Sequence, residues 1–220
     1  RDSIYASDES TIYVNLFIRS RMECQLSGVG ICVSQECNFP ENGTVTLSIS
    51  PEKPGSQFTL AVRIPSYCKG AVLKINGKEE AGTLEKGYLY LNRIWEMDDT
   101  VVMELNVPFR YVRSNPRVRH NIGKVSLMKG PVVYCLEEAD NGKYLSGAVI
   151  DTSVEPQEEY DHQLLRGTLC ARLQGSRIDY EKAGDSLYGE ERPVYEKTEL
   201  KAIPYFCWNN RGEGAVSYTH

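Results

Sequence analysis

The sequence contains no apolar run near the roughly 18 residues that a membrane-spanning helix needs, and no charged-then-apolar leader opens it. Basic residues are in the minority, because 25 Lys and Arg stand against 30 Asp and Glu. A general nucleic-acid binder would carry a basic excess, so we predict neither a nucleic-acid nor a membrane partner. The 220 residues are 41% hydrophobic and 25% charged, which is typical of a globular protein and not of a disordered or fibrous one.

Close cysteine pairs are also missing, although the chain holds seven cysteines. Zinc ribbons and fingers need two C-x-x-C-like pairs that converge on one tetrahedral ion, so a structural zinc site is not predicted. Single cysteines on apolar stretches behave as small buried hydrophobic residues. We therefore expect free thiols, with a disulfide between distant strands as the alternative. The cysteines lie at positions 24, 32, 37, 68, 135, 170 and 207.

Histidine is scarce, since only His120, His162 and His220 occur, and no H-x-H, H-x-x-x-H or H-E-x-x-H spacing is present. A histidine metal site would have to be assembled from distant segments, so we expect His120 and His162 at the surface or in loops. A cysteine nucleophile with a distant histidine, such as Cys170 with His162, is a further catalytic hypothesis, and no motif supports it.

Complete catalytic motifs are absent too. The nearest approach to the nucleophile elbow G-x-S-x-G is 184–189, GDSLYG, which is one residue too long and is predicted as a turn. Segment 28–33, GVGICV, lacks the third glycine of a dinucleotide fingerprint and predicts a hairpin turn. The acidic pairs 137–138 and 190–191 are adjacent only in sequence, whereas glycosidic acid/base work needs two carboxyls across a cleft. We therefore predict no catalytic, cofactor-binding or metal-ligating residue in this chain.

The chain does have period-two alternation along most of its length, with β-branched and aromatic residues at strand frequency. Turn residues separate the segments, and Asn76-Gly77 favours the positive φ of a type I′ hairpin. Short strands with turns between them predict an all-β protein of antiparallel sandwiches, with Trp95 as a core anchor. The predicted strands cover 11–19, 43–49, 57–64, 71–75, 87–95, 99–107, 124–136, 164–173 and 194–208.

A break near 108–123 divides this pattern, so we predict two jelly-roll-like β-sandwiches in tandem, residues 1–110 and 111–220. Five basic residues crowd the break: Arg110, Arg113, Arg117, Arg119 and Lys124. A phosphate or polyanion site is one interpretation, but the favoured one is a solvated segment whose arginines pair with nearby carboxylates. Segment 151–161 is acidic, and 179–193 is predicted as a polar loop.

The aromatic segment 205–211, YFCWNNR, is the strongest candidate for a ligand surface. Trp208 can stack on a sugar ring while Asn209 and Arg211 bond its hydroxyls, which makes these three residues candidate glycan contacts. Strand alternation instead puts Phe206 and Trp208 on one face, as core packing would. Core packing is the favoured interpretation.

Several segments resemble sequence stretches of one enzyme family, and they occur in the same order along the chain. Residues 63–67, RIPSY, 130–137, GPVVYCLE, and 202–205, AIPY, are distinctive together. From about residue 12 to its end, the chain resembles the C-terminal portion of glycoside hydrolase family 127, the β-L-arabinofuranosidase family.

This resemblance implies an (α/α)6 catalytic barrel followed by two β-sandwich domains, of which this chain looks like the two sandwiches. The family's barrel holds a zinc-bound cysteine nucleophile in an adjacent Cys-Cys pair, and no such pair occurs here, so no catalytic residue or cofactor carries over. The implied function is a non-catalytic accessory region of a bacterial hydrolase, whose first sandwich buttresses the barrel and whose second serves a homodimer. A carbohydrate-binding module for arabinose-containing plant glycans is the alternative. Family members are cytoplasmic or exported, which leaves the compartment open.

Overall fold

A computed structural model describes residues 3–182, 186–211 and 214–217. The chain divides into two compact units, Arg1–Pro108 and Phe109–His220. Strands dominate both units, and the α-helix of the described residues is the four-residue α1 (Glu138–Asn141), so the predicted all-β class is confirmed. Within the described part of the chain, no helix is long and apolar enough to cross a membrane.

The first unit contains two sheets. One has the strand order β1-β2-β6-β10-β9, and the other has the order β3-β4-β5-β11-β7-β8. Neighbouring strands run antiparallel, except that β2 runs parallel to β6. The strands are β1 (Tyr5–Ser7), β2 (Thr11–Val14), β3 (Ser20–Leu26), β4 (Val29–Cys37), β5 (Thr44–Pro51), β6 (Ser56–Arg63), β7 (Ala71–Ile75), β8 (Lys78–Glu79), β9 (Thr83–Glu85), β10 (Tyr88–Trp95) and β11 (Asp99–Leu105).

The core of the first unit lies between these sheets, because the inward side chains of both belong to one buried cluster. Strand β5 shows the principle: Val45, Leu47 and Ile49 are buried, while the alternate residues of the strand are not. Trp95 is the largest buried side chain, at 0% exposure, which confirms it as a core anchor.

The hairpin between β7 and β8 turns at Asn76-Gly77, as predicted. Both residues have positive φ, 51° and 79°, as a type I′ turn requires. The Asn76 side chain also donates to Asp99 and accepts from the Thr100 backbone N–H, at 2.6 and 2.9 Å. The turn is therefore tied to the neighbouring strand β11 as well as to its own hairpin.

The second unit is built on one connected eight-stranded sheet with the main order β12-β13-β14-β18-β17-β15. The long strand β17 pairs with β16 along its first half and with β15 along its second, and β19 pairs with β14. The strands are β12 (Phe109–Val112), β13 (Ser126–Lys129), β14 (Val132–Glu137), β15 (Ala148–Ile150), β16 (Gln157–Asp161), β17 (Thr168–Ile178), β18 (Tyr195–Pro204) and β19 (Val216–Ser217). Short 3₁₀ turns cover Arg119–Asn121, Leu145–Gly147, Leu164–Arg166 and Tyr205–Cys207.

Both faces of this sheet are covered. Successive residues of a strand point to opposite faces, so Tyr134 and Leu136 join a larger apolar cluster while Cys135 joins a smaller one with Cys170 and Ile203. All seven cysteines are free, as predicted; Cys135, Cys170 and Cys207 are buried and the other four are partly buried.

Several predicted boundaries are wrong. In the stretch of β3 and β4 only the hairpin turn over 28–33 is predicted; the chain does turn before Val29, but residues 29–33 belong to β4. Strand β12 lies inside the predicted break, and β16 lies in the acidic segment. The strand predicted over 164–173 starts only at Thr168, after a 3₁₀ turn, and continues to Ile178, while the one predicted over 194–208 ends at Pro204, before a 3₁₀ turn. Strand β16 is largely exposed, so it lacks the apolar alternation that predicts a strand, whereas β3 is unpredicted although Met22, Cys24 and Leu26 alternate with exposed polar residues.

Candidate functional site

The aromatic segment after β18 is not a strand. It forms a 3₁₀ turn over Tyr205–Cys207, and the backbone N–H of Trp208 donates to the carbonyl of Tyr205 at 3.1 Å. Proline has no N–H for a strand ladder, which fits the end of β18 at Pro204. We call residues 205–208 the aromatic turn.

Burial in the aromatic turn does not follow the predicted alternation of a strand. A 3₁₀ turn rotates each residue by about 120°, so one side chain in three points inward. That side chain is Cys207, which is fully buried. Tyr205, Phe206 and Trp208 are 41%, 63% and 38% exposed, so the expectation that Phe206 and Trp208 are core residues is wrong.

The exposed rings form a small platform. Tyr205 and Trp208 stack with their centroids 5.5 Å apart and their planes 24° from parallel. This stacking fixes the orientation of the Trp208 indole and leaves part of the ring exposed to solvent. Phe206 adds the most exposed of the three rings.

The residues after the platform brace it against β14 and α1. Asn209 has a left-handed φ of 59°, and its backbone N–H donates to Glu137 Oε1 at 2.7 Å. The guanidinium of Arg211 donates to Asp140 Oδ1 at 2.8 Å and also to a carboxylate oxygen of Glu137. Both carboxylates raise the pKa of Arg211, with Asp140 contributing most. Trp208, Asn209 and Arg211 are thus brought together, but Arg211 faces its own protein's carboxylates.

Lys201 is a second cation beside the carboxylates that Arg211 contacts. Lys201 Nζ lies 2.5 Å from Asp161 Oδ2 and 3.8 Å from Asp140 Oδ1, and all three side chains are largely buried. Asp161 also accepts hydrogen bonds from the backbone N–H groups that follow it. We call these five charged groups the charge network: Glu137, Asp140, Asp161, Lys201 and Arg211.

Lys201 and these N–H groups lower the pKa of Asp161 to about 2. An aspartate whose pKa is lower in the folded than in the unfolded state stabilises the fold above its unfolded pKa of about 3.8, and this stabilisation is lost as the pH falls through about 2. We expect Lys201→Met to reduce the loss of unfolding free energy between about pH 5 and about pH 2. Urea unfolding of both proteins across that range measures it, and parallel pH profiles would contradict the assignment.

The thiols beneath the charge network are poor nucleophiles. Burial raises the pKa of Cys135 to about 12 and that of Cys170 to about 11, so both stay protonated near neutral pH. Cys170 is fully buried, whereas His162 is exposed and packs its ring against Tyr160 with centroids 4.8 Å apart. This burial argues against the Cys170–His162 catalytic pair.

Of the remaining sequence candidates, only some fall within the described residues. His120 is exposed, as predicted, while His220 and the pair Gly184-Asp185 lie outside the described residues. Among the described residues, no group of three or more His, Cys, Asp or Glu side chains could hold a metal ion.

The basic run borders a cleft of about 400 Å³ in the second unit, lined in part by Arg113 and Lys124. Arg113 donates to the hydroxyl of Thr152 at 2.7 Å, and Arg110 donates to the carbonyl of Gly130 at 3.0 Å. The acceptor of Arg113 is a neutral hydroxyl and not the carboxylate that the favoured interpretation predicts.

Two family models match the chain in succession. Residues 11–107 match the middle domain of the GH127 β-L-arabinofuranosidases, and residues 109–217 match the C-terminal domain of glycoside hydrolase family 127. The chain belongs to glycoside hydrolase family 127. The division between the two matches falls at the division between the two structural units.

The relatives within family 127 are longer than this chain. The non-reducing end β-L-arabinofuranosidase of Bifidobacterium longum is 33% identical over 197 residues, which cover 85% of this chain and 30% of the relative. The crystal structure of a GH127 β-L-arabinofuranosidase from Geobacillus stearothermophilus T6 superposes with a TM-score of 0.91 at 36% identity, covering 98% of this chain and 34% of that one. A further GH127 β-arabinofuranosidase gives a TM-score of 0.85 at 27% identity, again covering 98% of this chain and 35% of the other. The chain therefore spans about a third of the length of these relatives, and it contains the middle and C-terminal domains without the catalytic barrel.

Proposed function

We propose that this chain is the non-catalytic accessory part of a β-L-arabinofuranosidase-like hydrolase, where it supports the catalytic barrel. The observation that carries the proposal is the match of two consecutive models, for a middle and a C-terminal domain, over nearly the whole chain. The buried, protonated thiols agree with it, because the zinc and the cysteine nucleophile implied by the family resemblance belong to the barrel. In this proposal the first unit, through about residue 110, buttresses the barrel, and the second serves a homodimer.

A chimaera tests the supporting role. In the Geobacillus stearothermophilus relative, the third of the chain that matches this protein is replaced by residues 1–220, and a truncated relative that lacks this third is the reference. We expect the chimaera to melt several degrees above the truncated form, because burial of an interface stabilises both of its sides. A chimaera that melts no higher than the truncated relative would contradict the supporting role.

A second candidate function is glycan binding at the aromatic turn, and one observation favours it. Trp208 lies on an exposed, stacked platform and not in the core, with Asn209 beside it. Aromatic rings of this kind stack on sugar faces, while neighbouring amides bond hydroxyls. Arg211 contributes indirectly, because it holds the turn against Glu137 and Asp140.

Intrinsic fluorescence can test this binding, because the chain has two tryptophans and Trp95 is fully buried. We expect arabinan oligosaccharides to change the emission of the wild-type chain in a saturable manner. Trp208→Phe should remove most of that change, while Trp95→Phe should leave it in place. No change in the wild-type emission would exclude a glycan site at the aromatic turn.

A further inference from the structure

The outward face of the five-stranded sheet carries an aromatic surface that the aromatic turn and the charge network do not include. Tyr13 on β2 and Tyr88, Tyr90 and Ile94 on β10 all point away from the core. The three tyrosines are partly buried among themselves, and Ile94 is 56% exposed. We call these four residues the tyrosine face.

The strand register explains how the tyrosine face is packed. Tyr13 and Tyr90 flank Ala61 from either side across three neighbouring strands, so the three side chains share one face. Ala61 points away from the core, yet it is 0% exposed. The small alanine therefore leaves room for the two rings beside the middle strand, and the aromatic surface they form is interspersed with the polar side chains of Thr59, Arg63 and Asn92 on the same face.

The tyrosine rings are held in fixed positions. Tyr13 donates its hydroxyl proton to Asp8 Oδ2 at 2.9 Å, and Tyr88 donates to Asn15 Oδ1 at 2.7 Å. The rings of Tyr13 and Tyr88 meet edge to face, with centroids 5.6 Å apart. Rings packed edge to face present no broad open platform for a sugar, whereas a rigid and partly apolar surface is well suited to packing against another protein surface.

The outward face of the other sheet has a different composition. Along β5 it carries Thr44, Thr46, Ser48 and Ser50, and across β11 and β7 it carries the ion pair of Glu104 with Lys74 at 2.8 Å. Small hydroxyls and ion pairs are typical of a strand face that stays in water. The same face also carries Val72 and Val102, so the two outward faces of the first unit differ mainly in the aromatic rings of the tyrosine face.

A groove of about 580 Å³ lies beside the tyrosine face, at the edge where Gly82 and Thr83 approach β10. Tyr90 and Ile94 line this groove together with Asn92. The tyrosine face and the groove together offer both a contact area and a recess that an inserted side chain can fill.

We propose that the tyrosine face is the surface on which the part of the family protein that precedes the middle domain docks. The matched models are for a middle and a C-terminal domain, and the relatives are about three times as long as this chain, so their remaining residues include a segment before the middle domain. The match begins at Thr11, the first residue of β2, and β2 belongs to the sheet that carries the tyrosine face. The residues that precede the middle domain in the family therefore enter the first unit at this sheet. The inference rests on the proposed supporting role and adds the surface that performs it.

Photo-crosslinking in the chimaera tests which face makes the contact. A benzophenone amino acid is placed at Asn92, which is exposed beside Tyr90, or at Ser48 on the outward face of the other sheet as the matched control. We expect crosslinks from position 92 to the preceding part of the relative and none from position 48. Crosslinks from position 48 alone, from neither position, or from position 92 to a second copy only would each overturn the proposal.

Two substitutions separate docking from a structural role. Tyr90→Ala should lower the melting temperature of the chimaera more than that of the isolated chain, because only the chimaera contains the docked surface. Val102→Ala, on the outward face of the other sheet, should lower both equally. Equal effects of Tyr90→Ala in the two proteins would overturn the assignment of the face. A chimaera that is stabilised but crosslinked elsewhere would leave the supporting role intact and remove only this surface.

Discussion

Replacement of Trp95 by alanine is expected to lower the free energy of unfolding of the first unit by about 3–5 kcal/mol. The indole is fully buried and stacks on Phe58 with ring centroids 5.6 Å apart. Its Nε1–H donates to the Phe58 carbonyl at 3.0 Å. Truncation therefore leaves a large cavity and also removes the donor from a buried carbonyl.

The matched control is Trp208→Ala, since Trp208 is the partly exposed tryptophan. Its substitution should cost about 1 kcal/mol or less. Urea unfolding followed by circular dichroism, with calorimetry to separate the transitions of the two units, measures both variants. Equal losses at the two positions would mean that Trp95 is not the anchor of the first core.

Replacement of Arg211 by methionine should be about as damaging in the second unit, with a loss of about 3–5 kcal/mol. Arg211 lies against Glu137 and Asp140, whose side chains are both largely buried. Methionine has a similar length and fills similar space, but it carries no charge and no donor. The two carboxylates then lose their shared cation, and the cost of burying them is offset only by Lys201 near Asp140 and by the Asn209 N–H at Glu137.

Arg113→Met is the control for this change. Arg113 is exposed and donates to the hydroxyl of Thr152, so its loss should cost about 0–1 kcal/mol. Arg211→Lys should fall between the two, because lysine keeps the charge but has no planar fork for two carboxylates. Urea unfolding of all three variants gives the comparison. A loss for Arg211→Met no larger than that for Arg113→Met would show that the charge network does not stabilise the second unit.

The strands that alternate most clearly can be predicted from sequence. Strand β5 sends Val45, Leu47 and Ile49 inward, and a period of two follows directly from that burial. The Asn76-Gly77 hairpin is equally local, since its positive φ values depend on the two residues themselves. The family resemblance comes from several strings taken together, 63–67, 130–137 and 202–205, and needs no structure.

The aromatic turn and the charge network are harder to predict, for different physical reasons. Pro204 is a visible local signal that β18 must end, but the alternation of the residues after it conceals the 3₁₀ turn. The charge network has no local sequence signal, because Arg211 contacts Glu137 and Asp140, which lie 74 and 71 positions away in the sequence. Acidic pairs that are adjacent in sequence do not reveal such partners, since strand pairing brings them together only in the folded sheet.

The most direct test of the central claim, that this chain is a non-catalytic part of a family 127 protein, is the release of L-arabinose by the purified 220-residue chain. The chain is supplied with zinc, a thiol reductant and a β-L-arabinofuranosyl substrate, and the full-length Bifidobacterium longum relative is the positive control. We predict no release above the protein-free control. Release that scales with the concentration of the chain and disappears when its cysteines are alkylated would contradict the claim.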